Sequence, residues 1–152
     1  MMRKVSWMLV VILCLVLVLI QARIQETQWR KHLAAGAKAH QEGRYSDAVN
    51  SFQAAAKDAE AFGPQDPRLA ISLNNLARLY HQQGKYNEAE PLYKRSLAIV
   101  EKALGPAHPH LATSLENYAM LLRKTTREVE AARMEVHAEA IRAMHSQKGL
   151  AI

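Results

Sequence analysis

The chain has 152 residues, enough for one domain and hardly enough for two. Aromatic residues are only 6 %, charged residues are 22 %, and β-branched residues are sparse beyond the N-terminus, which together exclude a β-sandwich or barrel and a disordered chain. The net charge of +6 is modest and unclustered, which argues against a nucleic-acid binder; the single cysteine, Cys14, leaves the rest of the chain without a disulfide, a zinc–thiolate site or a thiol nucleophile.

The first element is apolar. Met1 to Lys4 carry two positive side chains, Arg3 and Lys4, and Val5 to Ile20 follow with no charge, Gly or Pro. As a helix this run is roughly 24 Å long at about 1.5 Å per residue, between a signal-peptide core and a full membrane span. A cleavage site after Ala22 would place Ile20 where a small residue is preferred, so an uncleaved anchor over residues 1–22 is favoured over a removed signal peptide and over a buried core helix. Leu13 before Cys14 is a poor setting for a lipidated cysteine. Arg3 and Lys4 favour a cytoplasmic N-terminus, while Arg23, Arg30 and Lys31 oppose it. The exported, extracytoplasmic side is therefore expected for the rest of the chain, with secretion after cleavage as the alternative. Residues 23–27 read as a short linker.

Beyond it the chain repeats itself. Gly43-Arg44-Tyr45-Ser46-Asp47-Ala48 aligns with Gly84-Lys85-Tyr86-Asn87-Glu88-Ala89, a shift of 41. A shift of 42 brings Leu69-Ala70, Ser72-Leu73, Asn75, Ala77 and Leu79 onto Leu111-Ala112, Ser114-Leu115, Asn117, Ala119 and Leu121. The connecting segments Phe62–Pro67 and Leu104–Pro109 match as well. Each unit reads as two helices. In the middle one, Asp66 suits an N-cap and Pro67 the first helical position. Leu69, Leu73, Leu76, Ala77 and Tyr80 then recur at helical spacing, and Gly84 ends that helix. Asn87 reads as the next cap, with Glu90 as its capping-box partner and Pro91 in the first turn. Leu92, Tyr93, Leu97 and Val100 form the second stripe, which Gly105-Pro106 stops.

The stretch Leu69–Pro109 resembles the tetratricopeptide repeat, in particular the 42-residue kind of kinesin light chains, through Leu73, Leu76, Ala77, Tyr80, Gly84, Tyr86, Ala89, Tyr93 and Ser96. The first unit is looser: it keeps Gly36, Gly43, Tyr45, Ala48, Phe52 and Ala55 but has His32 and Ala39 at large apolar positions. The third keeps Leu115, Tyr118, Ala119, Leu122, Ala131 and Ala138; it has Thr126 in place of the glycine, Glu128 in place of the turn tyrosine, and Glu135 where an aromatic is usual. The resemblance implies an all-α fold, an α–α superhelix of about three helix pairs preceded by the hydrophobic helix. The repeat domain would cover 28–148, in units of about 28–67, 68–109 and 110–147, with a tail at 149–152.

The resemblance also implies that the first helix of each pair lines a concave face that holds partner proteins or peptides. That face would present Ile71, Asn74, Asn75, Arg78, His81 and Gln82 from the middle unit. Thr113, Glu116, Asn117, Met120, Arg123 and Lys124 would come from the third, and Arg30, Leu33, Ala34, Ala37, His40 and Gln41 from the first. An asparagine amide at 75 or 117 can donate to and accept from an extended peptide backbone, or can satisfy bonds within the array. Arg78, Arg123 and Lys124 could meet acidic side chains or a carboxyl terminus, or remain a solvated face.

No catalytic chemistry is expected. The chain has no phosphate-cradling glycine loop, no HExxH and no GxSxG, and the carboxylate pairs Glu88/Glu90 and Glu128/Glu130 sit at helix starts, where they complement the dipole. No cofactor is implied. The histidines do not assemble a metal ligand set, because His108 and His110 lack a third nearby donor and His108 stands where a cap belongs. Val129, Val136, Ala140, Ile141 and Met144 are spaced to make an apolar stripe on the last helix. That helix could cap the array or pair with a second copy. The reading is thus a membrane-tethered, non-catalytic scaffold, with a structural subunit of an envelope or secretion-type complex, packed through the ends of the array, as the alternative.

Overall fold

The computed structural model describes residues 2–150, with side-chain surroundings for residues 7–147. The chain folds into six helices: α1 (Met2–Gln41), α2 (Tyr45–Glu60), α3 (Pro67–Gln82), α4 (Tyr86–Leu104), α5 (Pro109–Lys124) and α6 (Glu128–Leu150). No strand occurs among the described residues. Of the tail read at 149–152, residues 151 and 152 lie outside the described residues.

Each helix packs on the one before it, so α1/α2, α3/α4 and α5/α6 form hairpins that stack in chain order. Three buried clusters fill the stack. Phe52 sits with Ala39, Ala48, Leu76 and Leu79; Tyr93 with Ala77, Ala89, Tyr118, Leu121, Leu122 and Ala131; Trp29, Leu69, Ile99, Leu111, Leu115 and Ile141 join a third. Each cluster draws its residues from two or three hairpins, so no pair closes its own core. The Tyr93 hydroxyl is buried without a hydrogen-bond partner, and burial raises its pKa.

The turn within each hairpin is the same. The N–H of Arg44, Lys85 and Arg127 donates back to the carbonyl of Ala39, Tyr80 and Leu122 respectively, at 2.9, 2.8 and 2.8 Å. This closure needs a left-handed residue just before that donor. Gly43 and Gly84 supply it at φ of 72° and 74°, and Thr126 is forced to 60° in the third hairpin. A β-branched side chain resists this region by roughly 1–2 kcal/mol. We expect Thr126→Gly to stabilise the third hairpin by about 1 kcal/mol in chemical denaturation of the detergent-solubilised chain, whereas Thr126→Val leaves the strain in place.

The connections between hairpins follow the reading at Asp66 and His108. The Asp66 carboxylate accepts from the Arg68 N–H at 2.9 Å, and the His108 ring Nδ1 accepts from the His110 N–H at 3.2 Å. Asn87 does not cap α4. That helix begins at Tyr86, with Lys85 at the cap position and no side-chain cap bond, and Pro91 lies inside the helix rather than in its first turn. Its missing N–H therefore leaves the Asn87 carbonyl without the usual helical donor. Glu90, freed from capping, instead accepts from the Tyr118 hydroxyl at 2.9 Å, Arg127 Nη1 at 2.7 Å and Lys94 Nζ at 2.7 Å. It ties α4 to α5 and to the turn that opens α6.

Two further readings are corrected. Residues 23–27 are helical, and α1 runs through them without a break. They contain polar residues but no Gly or Pro, so nothing stops the helix. On α6, only Ile141 of the expected stripe is buried; Val129, Val136, Ala140 and Met144 are exposed, and the packed face is Ala131, Ala138 and Ile141 with half-buried Met134. Small residues form that face because α6 lies close against α5. At the positions matching Tyr93 and Val100, which are buried in the middle unit, α6 carries Glu135 and Arg142. Glu135 accepts from Arg123 at 2.9 and 2.7 Å, and Arg142 donates to Glu116 at 2.6 and 2.7 Å.

Candidate functional site

The first helices of the pairs form one layer. Trp29 Nε1 donates to Ser72 Oγ at 2.9 Å and His40 Nε2 meets Gln82 Oε1 at 2.7 Å, joining α1 to α3. Asn117 Nδ2 donates to Asn74 Oδ1 at 3.3 Å, joining α5 to α3, and those two helices also pack directly. No comparable packing links α2 to α4 or α4 to α6 among the described residues. Within the layer of first helices, α3 and α5 are thus tied side by side, and α1 reaches α3 through the Trp29 and His40 bonds.

All ten sequence-predicted binding residues lie on α3 and α5, but they divide by what they already hold. Asn74 and Asn117 bond each other, and Asn117 is buried. Asn75 donates to the Ile71 carbonyl one turn back at 3.1 Å. Gln82 is engaged by His40. Glu116 pairs with Arg142, and Arg123 pairs with Glu128 and Glu135, so both turn toward α6 rather than into the layer's open face. On α1, Arg30 is likewise paired, with Glu26 at 2.7 Å.

Four remain: Arg78, His81, Met120 and Lys124. Arg78 and Lys124 make no ion pair among the described residues. Met120, on α5 with Lys124, is 47 % exposed. His81 is held below its ordinary pKa by burial and by the charge of Lys124, so the imidazole is neutral at pH 7. The open face therefore carries two uncompensated positive charges, a neutral ring and a flexible thioether. It offers recognition chemistry for an acidic, partly apolar segment and has no nucleophile with a base beside it. Among the described residues no group of three His, Cys, Asp or Glu side chains is placed to hold a metal.

Sequence reasoning did not single out Trp29 or Ser72's role as its acceptor, and it read Glu90 as a helix-start carboxylate rather than as the tie from α4 to the third hairpin. The recurrence of Ser72 at Ser114 and the matching of Ser96 to a repeat position were the available signals. Ser96 Oγ donates to the Ala70 carbonyl at 2.9 Å, locking α4 to α3.

The tetratricopeptide repeat family model matches residues 31–102 and 77–144, spanning all three hairpins. The chain belongs to the tetratricopeptide repeat family. No curated protein matches it. Among solved structures it is similar to BtubC (BKLC) from P. vanneervenii, a kinesin-light-chain-like bacterial protein. The match has a TM-score of 0.71 at 21 % identity, and it covers 78 % of this chain and 48 % of that one. The likeness concerns the solenoid fold, and this tetratricopeptide chain accounts for about half of the other's length. Repeats of this family serve as protein–protein interaction scaffolds and are typically non-catalytic.

Proposed function

We propose that the protein is a membrane-tethered, non-catalytic scaffold that holds partner protein or peptide segments on the layer of α3 and α5. The observation that carries the reading is that Arg78 on α3 and Lys124 on α5 have no ion-pair partner among the described residues, while Met120 on α5 is exposed and Arg123 and Glu116 are already paired with α6. Such a face suits an extended segment with acidic side chains or a terminal carboxylate. Asn74 and Asn75 stand at its edge with amide capacity to spare. The tether is the apolar run 5–20, the start of α1, whose described side chains are not covered by the rest of the chain. The exported side is the favoured place for the repeats, with secretion after cleavage as the alternative.

Selection from a displayed random peptide library against the full chain in detergent tests the groove. We expect enrichment of acidic sequences. Arg78→Glu with Lys124→Glu should weaken their binding roughly tenfold or more, equivalent to about 1.4 kcal/mol or more, and the wild-type affinity should fall as salt rises. Recovered peptides that ignore both reversals would refute the groove.

A second reading, self-association or permanent packing through the end of the array, is favoured by one observation. Val129, Val136 and Met144 are 70, 65 and 45 % exposed on α6. It is distinguished in the same material: an assembly that survives high salt and is lost in Val136→Glu, but not in the groove variant, belongs to the end.

A further inference from the structure

Resting on the reading of residues 5–20 as a membrane span, we propose that one rim of the repeat domain lies directly on the lipid surface, with the Phe62 loop and Arg23 in the headgroup layer. The repeat is thus docked on the membrane rather than hung from it on a flexible leash.

Three observations carry this. First, α1 is one helix from the apolar run into the packed repeat, so no joint separates the two. Trp29, buried against the second hairpin, is nine residues past Ile20, about 13 Å along the helix. Second, the loop between the first two hairpins reaches down to the span itself. A cleft there is lined by Leu19, Ala22, Arg23, Glu26, Phe62 and Arg68, and the Arg68 guanidinium lies over the Phe62 ring at 3.5 Å. Third, the apolar run is short. Its 16 residues make roughly 24 Å of helix against a hydrocarbon core of about 30 Å, so the bilayer thins around the span and brings the headgroups to Arg23 and the cleft.

The rim is suited to that contact. Because successive helices alternate in direction, the loop between the second and third hairpins shares the rim with the Phe62 loop; His145, near the end of α6, bonds the Ala107 carbonyl at 2.7 Å and marks the same edge. The segments Ala61–Gln65 and Gly105–Ala107 carry no charge and include Phe62, Pro64 and Pro106. Of the two carboxylates that border the first of them, Asp66 pairs with Arg68 at 2.8 Å and exposed Glu60 with Arg95 at 3.5 Å. The opposite rim, at Glu42–Arg44, Lys85 and Lys124–Arg127, is densely charged and belongs in water. Arg23 is exposed on the lipid side and is placed to meet a phosphate.

The test uses the full chain reconstituted in phosphatidylcholine–phosphatidylglycerol bilayers, in a Cys14→Ser background, with a fluorophore on a single introduced cysteine. The positions are Leu13→Cys in the span, Gln65→Cys and Pro106→Cys on the near rim, and Gln83→Cys on the far rim. Lipids bearing a nitroxide on the headgroup or deep on the acyl chain serve as short-range quenchers. We expect the acyl-chain quencher to extinguish the Leu13→Cys label and the headgroup quencher to extinguish both near-rim labels, with no loss at Gln83→Cys. A quenched span label with near- and far-rim labels equally bright would overturn the docking while leaving the tether standing. A span label untouched by acyl-chain quencher would overturn both.

Discussion

Truncating Phe52 to alanine destabilises the repeat array by about 3–5 kcal/mol, and adding a single methyl group at Gly36 destabilises it through the same contact. Phe52 is 2 % exposed and fills the space between α1, α2 and α3, against Ala39, Ala48, Leu76 and Leu79. A Cβ at Gly36 would stand 2.6 and 2.7 Å from the ring atoms Cε1 and Cδ1. Helix propensity alone favours Gly36→Ala by about 1 kcal/mol, because glycine loses more backbone freedom on folding. Overpacking a ring that has nowhere to go costs about 1–3 kcal/mol, so the net sign is destabilising. The decisive measurement is a double-mutant cycle by chemical denaturation in detergent. In the Phe52→Ala background the clash is gone, and Gly36→Ala should then stabilise. If Gly36→Ala stabilises the wild-type chain as well, the close approach of α1 to α2 is wrong.

The second large effect concerns acid. Glu90 is pushed down from an ordinary 4.5 to about 2, first by Lys94, then by Arg127, with the Tyr118 hydroxyl adding to both and partial burial opposing them. A carboxylate held this low stabilises the fold at any pH above about 4.5. The contribution fades as the pH falls from there toward 2, because the unfolded chain takes up the proton first. At about 1.4 kcal/mol per unit the whole shift corresponds to about 3.5 kcal/mol, which solvent screening at this part-exposed site reduces to roughly 2–3 kcal/mol. It falls on the junction between the second and third hairpins. We expect stability measured from pH 6 down to pH 2 to drop over that window and the slope to flatten in Glu90→Gln, which should itself cost about 2 kcal/mol at neutral pH. An unchanged acid limb in Glu90→Gln would mean that other carboxylates govern it. Glu90→Asp, which keeps the charge and shortens the reach, should recover only part of the loss.

What the sequence disclosed was the part of the fold that depends on near neighbours. Asp66 and His108 cap because their acceptors lie two residues from the N–H they serve. The left-handed turn at Thr126 was visible because Gly43 and Gly84 stand at the same register. Asn87 misled because a capping box and a mid-helix Asn-x-x-Glu look alike until the helix start is known; the third-hairpin groups that claim Glu90 are 28 and 37 residues away in the chain. The face of α6 misled for a different reason. The eye follows valine and methionine, while the tight approach to α5 selects alanine, so the larger side chains were left outside. Residues 23–27 looked like a linker because they are polar, although polarity without Gly or Pro does not end a helix.

Which helices carry the expected face was legible in the sequence; what each side chain already holds was not. Repeat register put all ten expected residues on α3 and α5, but whether a side chain is available depends on neighbours across the stack. Asn117 finds Asn74, Gln82 finds His40, and Arg123 and Glu116 find partners on α6. Only bonds between helices reveal that Arg78 and Lys124 are the cations left over.

The replacement of an aromatic and a valine by Glu135 and Arg142 has a consequence for how this array could lengthen. Both side chains are folded back onto α5, so a further hairpin arriving at α6 would meet bonded charges where it requires a greasy socket. A hairpin packed on α6 in the manner of the earlier ones would have to break both ion pairs first, so docking at this edge carries an electrostatic toll that the inner junctions escape.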